Sequence, residues 1–197
     1  MATRTLGDAS ERLTRLERLH DPHVAPLNSW AATLSTAGRE VPHFDPADGG
    51  VDARVLLLLE SPGPAVSHTG FISMDNPDGT AENMHGLITH SGLSRRDLAL
   101  WNIVPWQLSA ARVVTPDRAS HQDALPATRH LLTLLPHLKA VVLVGRHAQR
   151  GWRDIGSDLT TFAMPHPSPQ NFNTRPHAQD DALTALRNVQ QHLPMQP

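Results

Sequence analysis

Four short apolar runs without polar alternation punctuate the chain: ARVLLLLE (53–60), LALWNIVPW (98–106), KAVVLVG (139–145) and LTTFAMPH (159–166). This is the pattern of strands buried on both faces, as in parallel sheets. Between the runs, apolar positions recur at helical period. TAENMHGLITHSG (80–92) puts Met84, Leu87 and Ile88 on one face and stops at Gly92. PDRASHQDALPATRHLLTLLPHL (116–138) opens on Pro116-Asp117, and Pro126 is expected to split or kink it. RHAQRGWRDI (146–155) and DDALTALRNVQQHL (180–193) supply two more helices. Strands alternating with helices predict a three-layer α/β/α fold on a central, mostly parallel four-stranded sheet. Residues 1–50 read as a helical extension packed on the core, carrying Leu13, Leu16 and Leu19 and then Trp30 and Leu34. Within it, VPHFDPADGGVD (41–52) is the loop into the first strand. Residues 51–197 form the α/β/α domain, one globular unit.

In open α/β sheets, ligands bind beyond the carboxyl ends of the strands. The segments leaving those ends are ESPGPAVSHTGF, Asn102 with the following Pro-Trp, GRHAQ and HPSPQNFN, and all emerge at one edge. Glu60 and Ser61 stand at the tip of the first strand. Pro62-Gly63-Pro64 forces an extended turn there with no intervening helix, and the Walker spacing of a phosphate loop is missing. Asn102 interrupts an apolar run; an unmet buried amide costs about 1–3 kcal/mol. It either caps a neighbouring loop or offers a donor and an acceptor to a ligand such as a nucleobase edge. Pro165 and Pro167 bracket His166 and limit its backbone. Phe71 and Phe172 are two of four phenylalanines and suit either packing or stacking on a base. His121, His130 and His137 lack a carboxylate to complete a metal set, so no metal is expected; no G-x-S-x-G elbow occurs.

Composition narrows the field. The chain of 197 residues has no cysteine, which excludes disulfides, thiolate zinc sites and cysteine-ligated iron–sulfur clusters and suits a reducing cytoplasm. Its first residues lack the apolar core of a signal peptide. Net charge is −2, from 16 arginines and Lys139 against 19 acids. Without a basic excess, contact with nucleic acid must rest on a local patch. A cytoplasmic monomer is expected.

Taken in order, these segments resemble the uracil-DNA glycosylase superfamily across about residues 53–192. LESPGP (59–64) is similar to its first motif, of the GQDPYH, GEAPG or GMNPG kind. HTGFIS matches the phenylalanine setting, LWNIVPW the asparagine after the second strand, VVLVGRHAQ the strand–helix junction and HPSPQ the second motif. The resemblance implies a base flipped out of DNA and hydrolysis of its N-glycosidic bond. By that likeness His166 donates to the pyrimidine O2 and stabilises the departing base. Phe71 stacks on the base, and Asn102 forks onto its edge. Pro62, Gly63, Pro64, Ser168 and Pro169 approach phosphates, with Arg146 and His147 as further DNA contacts. Gln170 or Phe172 fills the gap left by the flipped base. Glu60 activates water or steadies the cationic sugar, and Ser61 stands where some members carry an aspartate. The absence of cysteine makes this a divergent member without the iron–sulfur cluster, and no cofactor is implied. Gly63 replaces the tyrosine of the strictest uracil enzymes and leaves room at C5. The implied partner is single- or double-stranded DNA. A glycosylase of uracil or another deaminated or modified base is the leading expectation. The alternatives are a defence-type enzyme acting on hypermodified foreign DNA and a catalytically weak binding module.

Overall fold

A computed structural model of the chain describes residues 3–109 and 114–194. Its centre is a parallel sheet of four strands in the order β4-β2-β5-β6. These are β2 (Val55–Leu59), β4 (Leu98–Asn102), β5 (Ala140–Val144) and β6 (Thr160–Met164). The runs 53–60, 98–106, 139–145 and 159–166 therefore all contain strands, each shorter than its run. The register pairs Leu59 with Asn102, Leu58 with Leu143, and Val144 with Met164, so the four carboxyl ends finish level. β2, β4 and β5 are almost wholly buried, whereas the edge strand β6 exposes Thr160, Thr161 and Ala163. The unalternating pattern overstated the burial of β6; the other edge strand, β4, is covered by Trp30 and Phe44 against its Trp101.

Eight α-helices are described: α1 (Ala9–Glu17), α2 (Ala25–Leu34), α3 (Pro64–Thr69), α4 (Gly79–Ser91), α5 (Arg118–Thr133), α6 (Gly145–Trp152), α7 (Pro169–Thr174) and α8 (Ala178–His192). Aspartates start three of them. Asp8, Asp78 and Asp117 each accept hydrogen bonds from first-turn amides, which satisfies donors that a helix start leaves open. α5 runs unbroken through Pro126, contrary to the expected split. Pro126 and Gln122 are both exposed, so water can meet the Gln122 carbonyl that loses its donor.

Two further departures bear on the cavity. The turn after β2 does not stay extended. Gly63 serves as N-cap, and Pro64, at the first helical position, starts α3. A small parallel ribbon then pairs β3 (Phe71–Ile72) with β1 (His43–Phe44), inside what reads from sequence as a plain loop. Phe44 stacks on Trp101 of β4 with ring centroids 4.2 Å apart, and Trp30 of α2 packs 5.3 Å from the same indole. Val24, Leu27 and Ala31 join the core of the sheet, so α2 belongs to the same packed body.

Candidate active site

Beyond the carboxyl ends of β2 and β4 lies a cavity of about 300 Å³. Sheet order explains its place. The chain leaves β2 for β4 on one side, then crosses back to β5 on the other, and ligands collect at such reversals. Glu60 extends directly from β2 and Asn102 ends β4 beside it; the Ile103 amide donates to the Leu59 main-chain carbonyl at 2.9 Å and the Val104 amide to the Glu60 main-chain carbonyl at 3.1 Å. His166 enters two residues past β6. All three side chains line the cavity. So do Ser61, Pro62, Gly63, Pro64 and Pro169. Further lining comes from the stretch 72–81, all but Asp75 and Pro77, and from Met84 of α4.

The electrostatics of the three polar groups differ from those of surface residues. Among the described residues, neither the Glu60 carboxylate, the Asn102 amide nor the His166 ring makes a side-chain hydrogen bond or ion pair, although Asn102 is only 3 % exposed. The Asn102 amide is not sealed in the core but opens onto the cavity, where water or a ligand can meet it. Burial pushes the Glu60 carboxyl above its ordinary value. Burial also holds His166 below the usual imidazole range, outweighing the nearby Asp78 charge that acts the other way. At neutral pH His166 is therefore an uncharged ring that can donate from one nitrogen.

His166 is fixed from several sides. Its carbonyl accepts from the Asn171 side chain at 2.8 Å, and Asn83 of α4 donates to the Pro167 carbonyl at 2.8 Å. Ser168 caps α7 by accepting from the Asn171 amide. Gly145 has φ +82°, and a Cβ there would stand 3.0 Å from the His166 Cβ. Gly145→Ala is therefore expected to cost about 1–2 kcal/mol from the left-handed backbone alone. It should also push His166 off its position, measurable as a lower midpoint in urea together with a larger loss of activity than that destabilisation explains.

Several sequence expectations need correcting. Phe71 is fully buried, tilted against His43 with centroids 5.8 Å apart, and faces no part of the cavity. A ring with no exposed face offers no stacking platform; Ile72, Ser73 and Met74 form that wall instead. Phe172 is partly buried and packs against the hydrophobic core, whereas Gln170 is exposed. Arg146 is exposed on the first turn of α6, and His147 beside it is half-buried; neither lines the cavity. His121 lies next to His147 with ring centroids 6.3 Å apart, while His130 stacks on Trp30 at 5.7 Å.

Sequence reading also missed residues. Gln107 donates to the Gly63 carbonyl at 3.3 Å and accepts from Ser67 at 2.7 Å, holding the first motif in place. Asn76 lines the cavity, but its amide is engaged, accepting from Thr69 at 2.8 Å and donating to the Phe71 carbonyl at 2.9 Å. The one signal for this wall was the polar string SMDNPDGT (73–80) leading into the cap of α4.

Comparison with known proteins now bears on this arrangement. The sequence profile of the Uracil DNA glycosylase superfamily matches residues 46–190, about three quarters of the chain. The chain belongs to the uracil DNA glycosylase superfamily. Among solved structures, it is similar to a Methanosarcina acetivorans protein provisionally named a uracil DNA glycosylase and determined by solution NMR. The two are 17 % identical, with 71 % of this chain and 92 % of that one covered and a TM-score of 0.43. No curated protein matches this chain in sequence. Superfamily membership supports a glycosylase-type activity on DNA, and the parallel sheet with its flanking helices is consistent with the superfamily's fold.

Proposed function

We propose that the protein is a monofunctional DNA glycosylase that hydrolyses the N-glycosidic bond of uracil or another deaminated or modified base flipped from DNA. One observation carries this reading. Glu60, Asn102 and His166, three polar side chains without partners among the described residues, face one base-sized cavity at the carboxyl end of a parallel sheet. At about 300 Å³ the cavity stands at the small end of ligand pockets, a size that suits a single base.

In this reading Asn102 pairs with the donor–acceptor edge of the base, and the thioethers of Met74 and Met84 contact its ring. As the bond from C1′ to the base nitrogen breaks, its electron pair leaves with the base, and positive charge builds on the sugar. Neutral His166 donates to the base oxygen where negative charge collects. Ionised Glu60 steadies the sugar and takes a proton from the water that attacks C1′. Hydroxide from the water bonds to C1′, and the proton left on Glu60 passes through solvent to the departing base anion, which restores Glu60 and balances the hydrolysis. Pro62, Pro64, Ser168 and Pro169 with their main chain, and Arg146, His147 and Gln170 outside the cavity, are candidates for contact with the DNA backbone and stack. A Cβ placed on Gly63 would meet nothing within 4 Å, so the reading extends to pyrimidines enlarged at C5.

The test is a panel of DNA strands, single and double, each carrying uracil, xanthine, hypoxanthine or a C5-modified pyrimidine. Base release with alkali-labile breaks only at the modified position is the expected result. DNA binding with no release from any member of the panel would instead establish a binding module.

A further inference from the structure

Residues 73–78 make no strand or helix, yet they form one wall of the cavity. Within the segment, the Asp75 amide donates to the Ser73 hydroxyl at 2.9 Å, the Asp78 amide to the Asn76 carbonyl at 2.8 Å and the Asn76 amide to the Ser73 carbonyl at a long 3.4 Å. What holds the wall lies behind it. Arg95 spends its fork on three carboxylates, donating from Nε to Asp48 at 2.6 Å, from Nη1 to Asp75 at 2.7 Å and from Nη2 to Asp45 at 2.8 Å. Asp45 also accepts from the Ser73 hydroxyl. Arg15, on α1, reaches the same cluster, pairing with Asp45 and with Asp75 at 3.2 Å. The segment before α1 adds a main-chain bond from the Leu6 amide to the Asp75 carbonyl at 3.1 Å, with the Leu6 side chain fully buried. Arg12 fastens that turn to α1 by donating to the Leu6 and Gly7 carbonyls, each at 2.9 Å.

We infer that the N-terminal segment, through Arg15 and Leu6, acts with Arg95 as a clamp that positions the 73–81 wall against the flipped base. Arg15 and Arg95 are thus positioning residues for the reaction proposed above, and the inference rests on that reading for its catalytic arm. α1 is more than a cover: none of its residues is buried, so its contribution to a core is small. It is tied to the cavity wall through Arg15, whose side chain is only 11 % exposed, against 0 % and 6 % for the side chains of Asp45 and Asp75. Arg15 and Asp45 both lie outside the 46–190 span matched to the superfamily, so that match does not by itself supply the clamp. A planar guanidinium bridges two carboxylates, whereas an ammonium is a single point charge. Arg15→Lys therefore keeps the charge and removes the bridge.

The test compares full-length wild type, Arg15→Lys, Arg15→Ala and Arg18→Ala by amide hydrogen exchange and by single-turnover base release. Among the described residues the Arg18 side chain pairs only with Asp21, on the surface, and it serves as the control. Arg15→Lys should speed exchange across 73–81 by about tenfold or more, with exchange in β5 unchanged. It should also lower the rate of release by about tenfold, at unchanged KM for DNA, because a displaced wall spoils alignment rather than backbone contact. Arg15→Ala should do the same to a larger extent, and Arg18→Ala should do neither. Unchanged exchange over 73–81 in Arg15→Lys would overturn the clamp, as would an equal rise in β5, which marks general destabilisation. Should the wild type release no base from any substrate, the proposed activity fails, while the exchange measurement still decides the clamp.

Discussion

Replacing His166 with alanine is expected to slow base release by about 10²–10³-fold, the range seen when one preorganised donor is removed from a developing oxyanion. The fold should survive, because the imidazole makes no hydrogen bond among the described residues and only half-buries its surface against the cavity. DNA affinity should change little, since backbone contacts dominate it. His166→Gln, which keeps a donor on a side chain of similar reach, should recover part of the loss. The measurement is single-turnover release at saturating enzyme, paired with a binding isotherm on the same DNA. A rate unchanged in His166→Ala would remove the imidazole from the chemistry.

Glu60→Gln is the second large effect, and its pH dependence identifies it. Burial raises the Glu60 carboxyl above the ordinary value of about 4.3. The ionised form is the one that accepts a proton from water. Wild-type rate should therefore rise with pH on an acid limb whose midpoint lies above that of an exposed glutamate, then level off. Glu60→Gln should lower the plateau by about 10²–10⁴-fold and abolish the limb, because the amide does not titrate. Uncharged His166 adds no further acid requirement at neutral pH, its own value being held low by burial. A wild-type profile flat through the acid range would separate Glu60 from the rate-limiting step.

The strands and the residues at their ends were legible because they obey local rules. Runs such as AVVLV have no other comfortable home than a covered parallel sheet, and a parallel sheet sends its carboxyl ends to one edge. Glu60, Asn102 and His166 could be placed together on that logic alone. The 73–81 wall was not legible, because nothing local encodes it. Asp45, Asp48 and Asp75 look like solvated loop acids in VPHFDPADGGVD and SMDNPDGT, yet each is at most 4 % exposed. Their burial depends on arginines 20 to 60 residues away, which no periodicity reveals. Phe71 misled for a related reason: its motif setting says which residue type stands there, while the β1–β3 ribbon decides which way the ring turns.

The level register of the four strands has a consequence for how the chain can change length. Side chains along a strand alternate between faces, so one residue inserted inside β4 would turn the Asn102 amide to the opposite side of the sheet. A residue added to the connection between α6 and β6 shifts nothing at the cavity, and even doubling a flexible loop costs only about 0.6 kcal/mol. Natural lengthening or shortening, and any deliberate grafting of extra sequence, is thereby steered into the crossovers, while the five-residue strands β2 and β4 act as fixed rulers for the chemistry at their tips.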